Sequence, residues 1–206
     1  MDSILLVEDN TEYAAAAQRM LQGRAFNVVH ARDYIESLDR LQTGGINGAL
    51  IDCFFPEMIG TGKRDTGYEA VRKMAAADPR RDNTVAHAFA HISATLGVEV
   101  ADFVAEKNPE ARRYAPYQIL EQAVRRDEAN QPLGILIGEQ AEALGIPFVL
   151  ATSTNHHDEL TQPIQNYAGR RGWKLVDCSP GSEQDKTNEA YWQRAMGELE
   201  RRMGHF

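Results

Sequence analysis

The chain has 206 residues, enough for one full core, and its 30 acidic against 22 basic side chains leave a net charge of −8. That balance disfavours a nucleic-acid partner, because phosphates would meet an acidic surface. No apolar run approaches the roughly 18 residues of a membrane span, and Met1-Asp2-Ser3 leads into the first hydrophobic run without a basic leader, so a cytoplasmic protein with no membrane partner is expected. Cys53 and Cys178, the only cysteines, end apolar runs and read as reduced structural thiols.

Ile4-Leu5-Leu6-Val7 is too short for a helix and stops abruptly at Glu8-Asp9-Asn10. It reads as a buried strand that delivers carboxylates to the end of a sheet. Residues 11–22 carry Ala14, Ala17, Met20 and Leu21 at helical spacing, with Asn10 or Thr11 as cap and Gly23 as stop. A short β-branched run follows at 27–31, and Asp33 then caps a helix bearing Ile35, Leu38 and Leu41, closed by Gly44-Gly45. Ala49-Leu50-Ile51-Asp52 is a second strand tipped with acid. Alternation of this kind predicts a parallel sheet with right-handed crossovers.

The pattern then breaks. Segments 67–77, 83–96, 98–106 and 117–126 read as helices, and the next strand begins only at Phe148. Two segments compete for the third core helix: 67–74, and 132–144, which Gly145-Ile146-Pro147 joins directly to that strand. Short connections are usual in α/β units, which favours the later segment. The expectation is a core of residues 1–58 and 132–206 with a helical insertion of residues 59–131 at the edge where the acids gather. The remainder reads as a helix at 158–170 through Leu160, Ile164, Tyr167 and Ala168, a strand at 173–176, and a final amphipathic helix at 188–203 through Tyr191, Ala195, Leu199 and Met203.

Strand ends of an open parallel sheet converge on one crevice, so Glu8, Asp9 and Asp52 are expected to form an anionic pocket suited to a hard cation. Acids that merely end strands at solvent are the plain alternative. Three ordered blocks sharpen the choice: Val7-Glu8-Asp9-Asn10, then Asp52-Cys53-Phe54-Phe55-Pro56-Glu57-Met58, then Ile146-Pro147-Phe148-Val149-Leu150-Ala151-Thr152-Ser153. Together they resemble the receiver domain of bacterial two-component response regulators. The resemblance implies a flavodoxin-like, doubly wound α/β fold whose five parallel strands run in the order 2-1-3-4-5. It also implies Mg²⁺ held by Glu8, Asp9, Asp52 and the backbone carbonyl of Phe54, with Asp52 as phosphoacceptor and Thr152, or Ser153 beside it, as the hydroxyl that meets the phosphoryl group. The partners it implies are a histidine kinase or phosphotransfer protein upstream and another protein downstream.

The resemblance departs at the last strand, where Ser179 precedes Pro180 in place of the family's lysine and Val176 stands in place of its aromatic switch residue. Lys186 lies beyond, where two readings are open: a side chain reaching back to the phosphoryl group, or a solvated surface lysine. Gly60-Thr61-Gly62-Lys63-Arg64 suggests a phosphate loop but lacks the Walker pattern and reads as a mobile, solvated loop. His87 and His91 are spaced as in zinc-binding helices without the metalloprotease glutamate, and His156-His157 follow Thr152 in the loop above the acids. Besides the phosphoacceptor reading, two functions stay open: an interaction module of the same fold without phosphorylation, and a metal-dependent phosphohydrolase using His156 or His157 as acid or base.

Overall fold

A computed structural model describes residues 1–78, 115–154 and 158–204. Its strands are β1 (Ser3–Val7), β2 (Asn27–Ala31), β3 (Gly48–Asp52), β4 (Phe148–Ala151) and β5 (Leu175–Val176). The described helices are α1 (Thr11–Gly23), α2 (Tyr34–Thr43), α3 (Asp65–Ala76), α4 (Ala115–Arg126), α5 (Gly134–Ala143), α6 (Thr161–Arg170) and α7 (Glu189–Met203), with a 3₁₀ turn at Glu128–Asn130. The strands form one five-stranded sheet in the order β2-β1-β3-β4-β5, every pair parallel. This is the flavodoxin-like order expected from the sequence. The helices expected at 83–96 and 98–106 lie outside the described residues.

Both sheet faces are covered, which explains why the central strands read as continuous apolar runs. Leu5, Val7, Ala49, Ile51, Phe148 and Leu150 belong to one core cluster, with Leu41, Val71, Met74, Leu120 and Ile164. Ile4, Leu6, Leu50, Val149 and Ala151 alternate into the other, against Ala17, Leu21, Trp192, Ala195 and Leu199 of α1 and α7. Side chains two apart on a strand share a face, so the two clusters are the two sides of the same strands. Cys53 and Cys178 are free thiols buried at the ends of β3 and β5. Among the described residues, no helix is long and apolar enough to cross a membrane.

Helix α5 packs directly on β3 and β4 beside α2. Helices α3 and α4 pack on each other and on α6 instead. Asp78, just past α3 and buried, accepts a 2.9 Å hydrogen bond from the Tyr117 hydroxyl of α4, and Arg170 of α6 lies 3.9 Å from the same carboxylate. Burial raises the Tyr117 phenol to about 12, with Asp78 adding to the effect. Lys73 of α3 pairs with Glu139 of α5, which also accepts from the Tyr167 hydroxyl of α6.

The start of α5 also sets the end of β3. Gly134 donates its N–H to the carbonyl of Cys53, and a Cβ at residue 134 would fall 2.2 Å from the backbone oxygen of Asp52. Only glycine lets the helix approach this closely. Gly134→Ala is therefore expected to cost about 1–3 kcal/mol in urea unfolding, since a rigid strand end cannot yield as a side chain would. Gly197→Ala in α7, where nothing lies within 4 Å of the added carbon, should instead stabilise the protein by about 0.5–1 kcal/mol.

Candidate active site

Glu8 and Asp9 follow β1 directly, and Asp52 is the last residue of β3, the neighbouring strand. The three therefore share the carboxyl edge of the sheet, where one oxygen from each lies within 4.8 Å of the others. Glu8 is fully buried and Asp52 is 4% exposed, whereas Asp9 is half-buried. The Glu8 backbone is fixed on both sides: its N–H donates to Ala31 of β2, and its carbonyl sits 2.9 Å from Nε2 of His30. Asn10 turns its side chain to the first N–H groups of α1, so the helix starts immediately after the acids.

Lys186 enters this cluster from the loop between β5 and α7. It is fully buried, with Nζ 2.8 Å from Oδ1 of Asp52 and 2.5 Å from Oε2 of Glu8. The solvated-surface reading of this lysine is thus incorrect; burial between two carboxylates, invisible in a loop sequence, is what holds it. Oδ1 of Asp52 also accepts from the N–H of Cys53 at 2.8 Å. The rings of Tyr13 and Trp192 flank the ammonium, each with its centroid 5.4 Å from Nζ. Tyr13, Trp192 and Tyr191 were not singled out from the sequence as site residues, because nothing in their spacing separates them from ordinary helix-face aromatics.

Thr152 lies at the end of β4, buried, and its hydroxyl pairs with that of Thr154 at 2.9 Å. The Tyr191 hydroxyl bolts this strand end in place: it accepts from the N–H of Thr152 and faces the carbonyls of Thr152 and Val176. Phe54 follows Asp52 by two residues and packs against the core beneath the site. His87, His91, His156 and His157 lie outside the described residues.

Electrostatics follow from burial. Desolvation, then the neighbouring Asp52 charge, raises Glu8 to about 8, although Lys186 works against the shift. Asp9 rises to about 6 for the same two reasons. Asp52 is raised by burial, with Lys186 and the N–H groups of Cys53 and Phe54 opposing. Burial alone would lower Lys186, but Asp52 and Glu8 outweigh it and hold the ammonium charged. Burial thus favours a proton within the cluster, and the Lys186 charge opposes it.

The donor set suits a hard divalent ion: three carboxylates, oxygen ligands only, gathered at the carboxyl edge of the sheet. Lys186 already occupies part of this set, with Nζ 2.5 Å from Oε2 of Glu8, so a metal would compete with the ammonium for that oxygen.

The loop at 60–64 is largely exposed, as the solvated reading expected, and side chains from elsewhere in the chain reach it. The carboxylate of Glu128 accepts from the N–H groups of Gly60 (2.9 Å) and Gly62 (2.6 Å), and Gln131 donates to the carbonyl of Lys63. Both glycines have positive φ, which turns their N–H groups toward one anion. The internal carboxylate of Glu128 takes up both of these N–H groups.

No family model matches the chain, and no curated protein matches it in sequence. In structure it is similar to CheY-like receiver domains. The chemotaxis response regulator CheY4 of Vibrio cholerae is 12% identical, with 97% of this chain and 98% of that chain covered and a TM-score of 0.45. A CheY-like response regulator receiver domain protein from Methanospirillum hungatei JF-1 is 13% identical over 100% and 99% of the two chains, TM-score 0.45. The bacteriophytochrome response regulator AtBRR is 18% identical over 97% and 92%, TM-score 0.41.

The shifted acids give a signed pH dependence. Glu8 and Asp9 stand above their ordinary values of 4.5 and 3.8, so the folded state holds protons that the unfolded chain has released. Their contribution to stability is full below about pH 4 and is lost as pH rises toward 8. In metal-free buffer the thermal midpoint should fall by about 10–20 °C between about pH 5 and 8.5, at roughly 2–4 °C per kcal/mol for a chain of this size. Glu8→Gln should flatten that slope; a slope equal to the wild type's would place the proton elsewhere.

Proposed function

We propose that the protein is a receiver-like signalling module in which Asp52 accepts a phosphoryl group. The observation that carries this reading is the buried carboxylate of Asp52, paired at 2.8 Å with the Lys186 ammonium and flanked by Glu8 and Asp9 at one sheet edge. In the proposed reaction an Asp52 oxygen forms a bond to phosphorus while the bond from phosphorus to the donor's leaving atom breaks, and the leaving group keeps the electron pair. Glu8, Asp9, Asp52 and the Phe54 carbonyl would hold Mg²⁺, which supplies neutralising charge for the phosphoryl oxygens. Lys186 would swing from its carboxylate partners to the oxygens of the bound group, and Thr152, freed from Thr154, would donate its hydroxyl. Residues 59–131 are then an insertion after β3, a division that the packing of α5 on β3 and β4 supports. A histidine kinase or phosphotransfer protein is the proposed donor, and a protein surface the proposed output.

A second reading rests on the same lysine. With Lys186 bridging Glu8 and Asp52, the cluster already holds a cation without a metal. That arrangement suits an interaction module that is never phosphorylated.

Mass spectrometry after incubation with Mg²⁺ and acetyl phosphate separates the two. A phosphoryl adduct on the wild type that disappears in Asp52→Asn supports the phosphoacceptor; an unmodified protein supports the interaction module. Lys186→Met should weaken binding of the phosphoryl mimic beryllofluoride by about 1.5–3 kcal/mol, the range for a hydrogen bond to a charged group. Mg²⁺ affinity, measured calorimetrically on the same variant, should rise, because removing the ammonium removes a competing cation from Glu8 and Asp52.

A further inference from the structure

A lysine at a strand end inherits its position from the sheet; Lys186 does not. It sits in a loop that runs from Asp177 to Asn188 and is held mainly by its own turns. Ser179 donates to Gln184, the carboxylate of Asp185 accepts from Gly181 and Thr187, and Asn188 donates to Ser182. Arg194 of α7 ties the loop's outer side through the Asp177 carbonyl and Gln184. These contacts make the loop compact, but none of them touches Lys186.

Trp192 does, at both ends. Its Nε1–H donates to the Lys186 carbonyl at 2.8 Å, and its ring faces the ammonium with its centroid 5.4 Å from Nζ. The indole is fully buried on α7 and braced edge-to-face by Tyr191 at 5.1 Å, the residue that also bolts the end of β4. A lysine stem carries about 2 kcal/mol of rotamer freedom that must be given up to deliver its charge to one point. Fixing the backbone end and shielding the charged end with a single rigid group achieves that.

We propose that Trp192 is a positioning residue: it places the Lys186 ammonium at Asp52 and Glu8, standing in for the strand backbone that would otherwise carry the lysine. This inference rests on the phosphoacceptor reading only for its role in phosphoryl binding. The placement itself is independent of that reading.

Two measurements test it. In protein labelled with ¹⁵N-lysine, a buried ammonium between carboxylates gives a slowly exchanging side-chain resonance, identified as that of Lys186 by its loss in Lys186→Met. Trp192→Phe, which keeps a buried ring and removes the donor, should speed exchange of that resonance at least about tenfold, the effect of losing one hydrogen bond. Trp173→Phe should leave it unchanged. If Trp192→Phe does not fold, benzothienylalanine at position 192 keeps the bicyclic shape and removes only the N–H. An unaltered resonance in whichever of these folds overturns the proposal, as does a wild type with no protected ammonium. The second measurement is beryllofluoride affinity in Mg²⁺. Trp192→Phe should weaken it about tenfold, and adding the same change to Lys186→Met should weaken it no further, because Trp192 acts through the lysine. Losses that multiply would mean a general structural role and overturn the proposal. If the wild type takes neither mimic nor phosphoryl group, the phosphoacceptor reading fails, while the ammonium resonance still decides what Trp192 does.

Discussion

One buried ammonium holds the functional end of this molecule together. Glu8 and Asp52 come from adjacent strands and would repel each other in a region that excludes water, yet both lie within 2.8 Å of Nζ of Lys186. Burying a charge without a partner is costly enough that the group would neutralise instead. The lysine opposes that outcome at both carboxylates, while burial still raises each above its ordinary value. Everything nearby is arranged around that ammonium: the rings of Tyr13 and Trp192 face it, and the Cys53 N–H shares its Asp52 oxygen.

The location of the site follows from the sheet. With both faces covered by helices, the strands of a parallel sheet meet water only at their ends, and side chains just past those ends are the ones free to do chemistry. Helix α5 presses against the end of β3 through Gly134, so the backbone of Asp52 is confined from below while its side chain faces the cluster. Tyr191 confines the end of β4 in the same manner from the opposite side of the sheet. The carboxylate and the hydroxyl of Thr152 are thus set on two strand ends whose backbones have little freedom to drift apart.

What was legible in the sequence is what periodicity and strand termination encode. The acid-tipped runs at Val7 and Ile51 predicted both the strands and the meeting of Glu8, Asp9 and Asp52, because a buried parallel strand must be apolar and must stop where polarity begins. Lys186 was only half legible: its presence in the right loop could be read, but its complete burial depends on partners 134 and more residues away in sequence. Trp192 was hidden in an amphipathic helix, where an indole that fills space and one that donates a functional hydrogen bond look alike. The loop at 60–64 was legible as solvent-exposed, but its contact with Glu128 was not, because that residue lies 66 to 68 positions later.

The hydrogen bond between Asp78 and Tyr117 has a consequence for how this chain can change over time. It joins two buried side chains 39 residues apart and so closes a loop of chain between the end of α3 and the start of α4. The entropy of closing such a loop grows only with the logarithm of its length, about 0.6 kcal/mol for each doubling. Variation in the number of residues between Asp78 and Tyr117 is thus cheap in chain entropy for as long as their side chains stay paired.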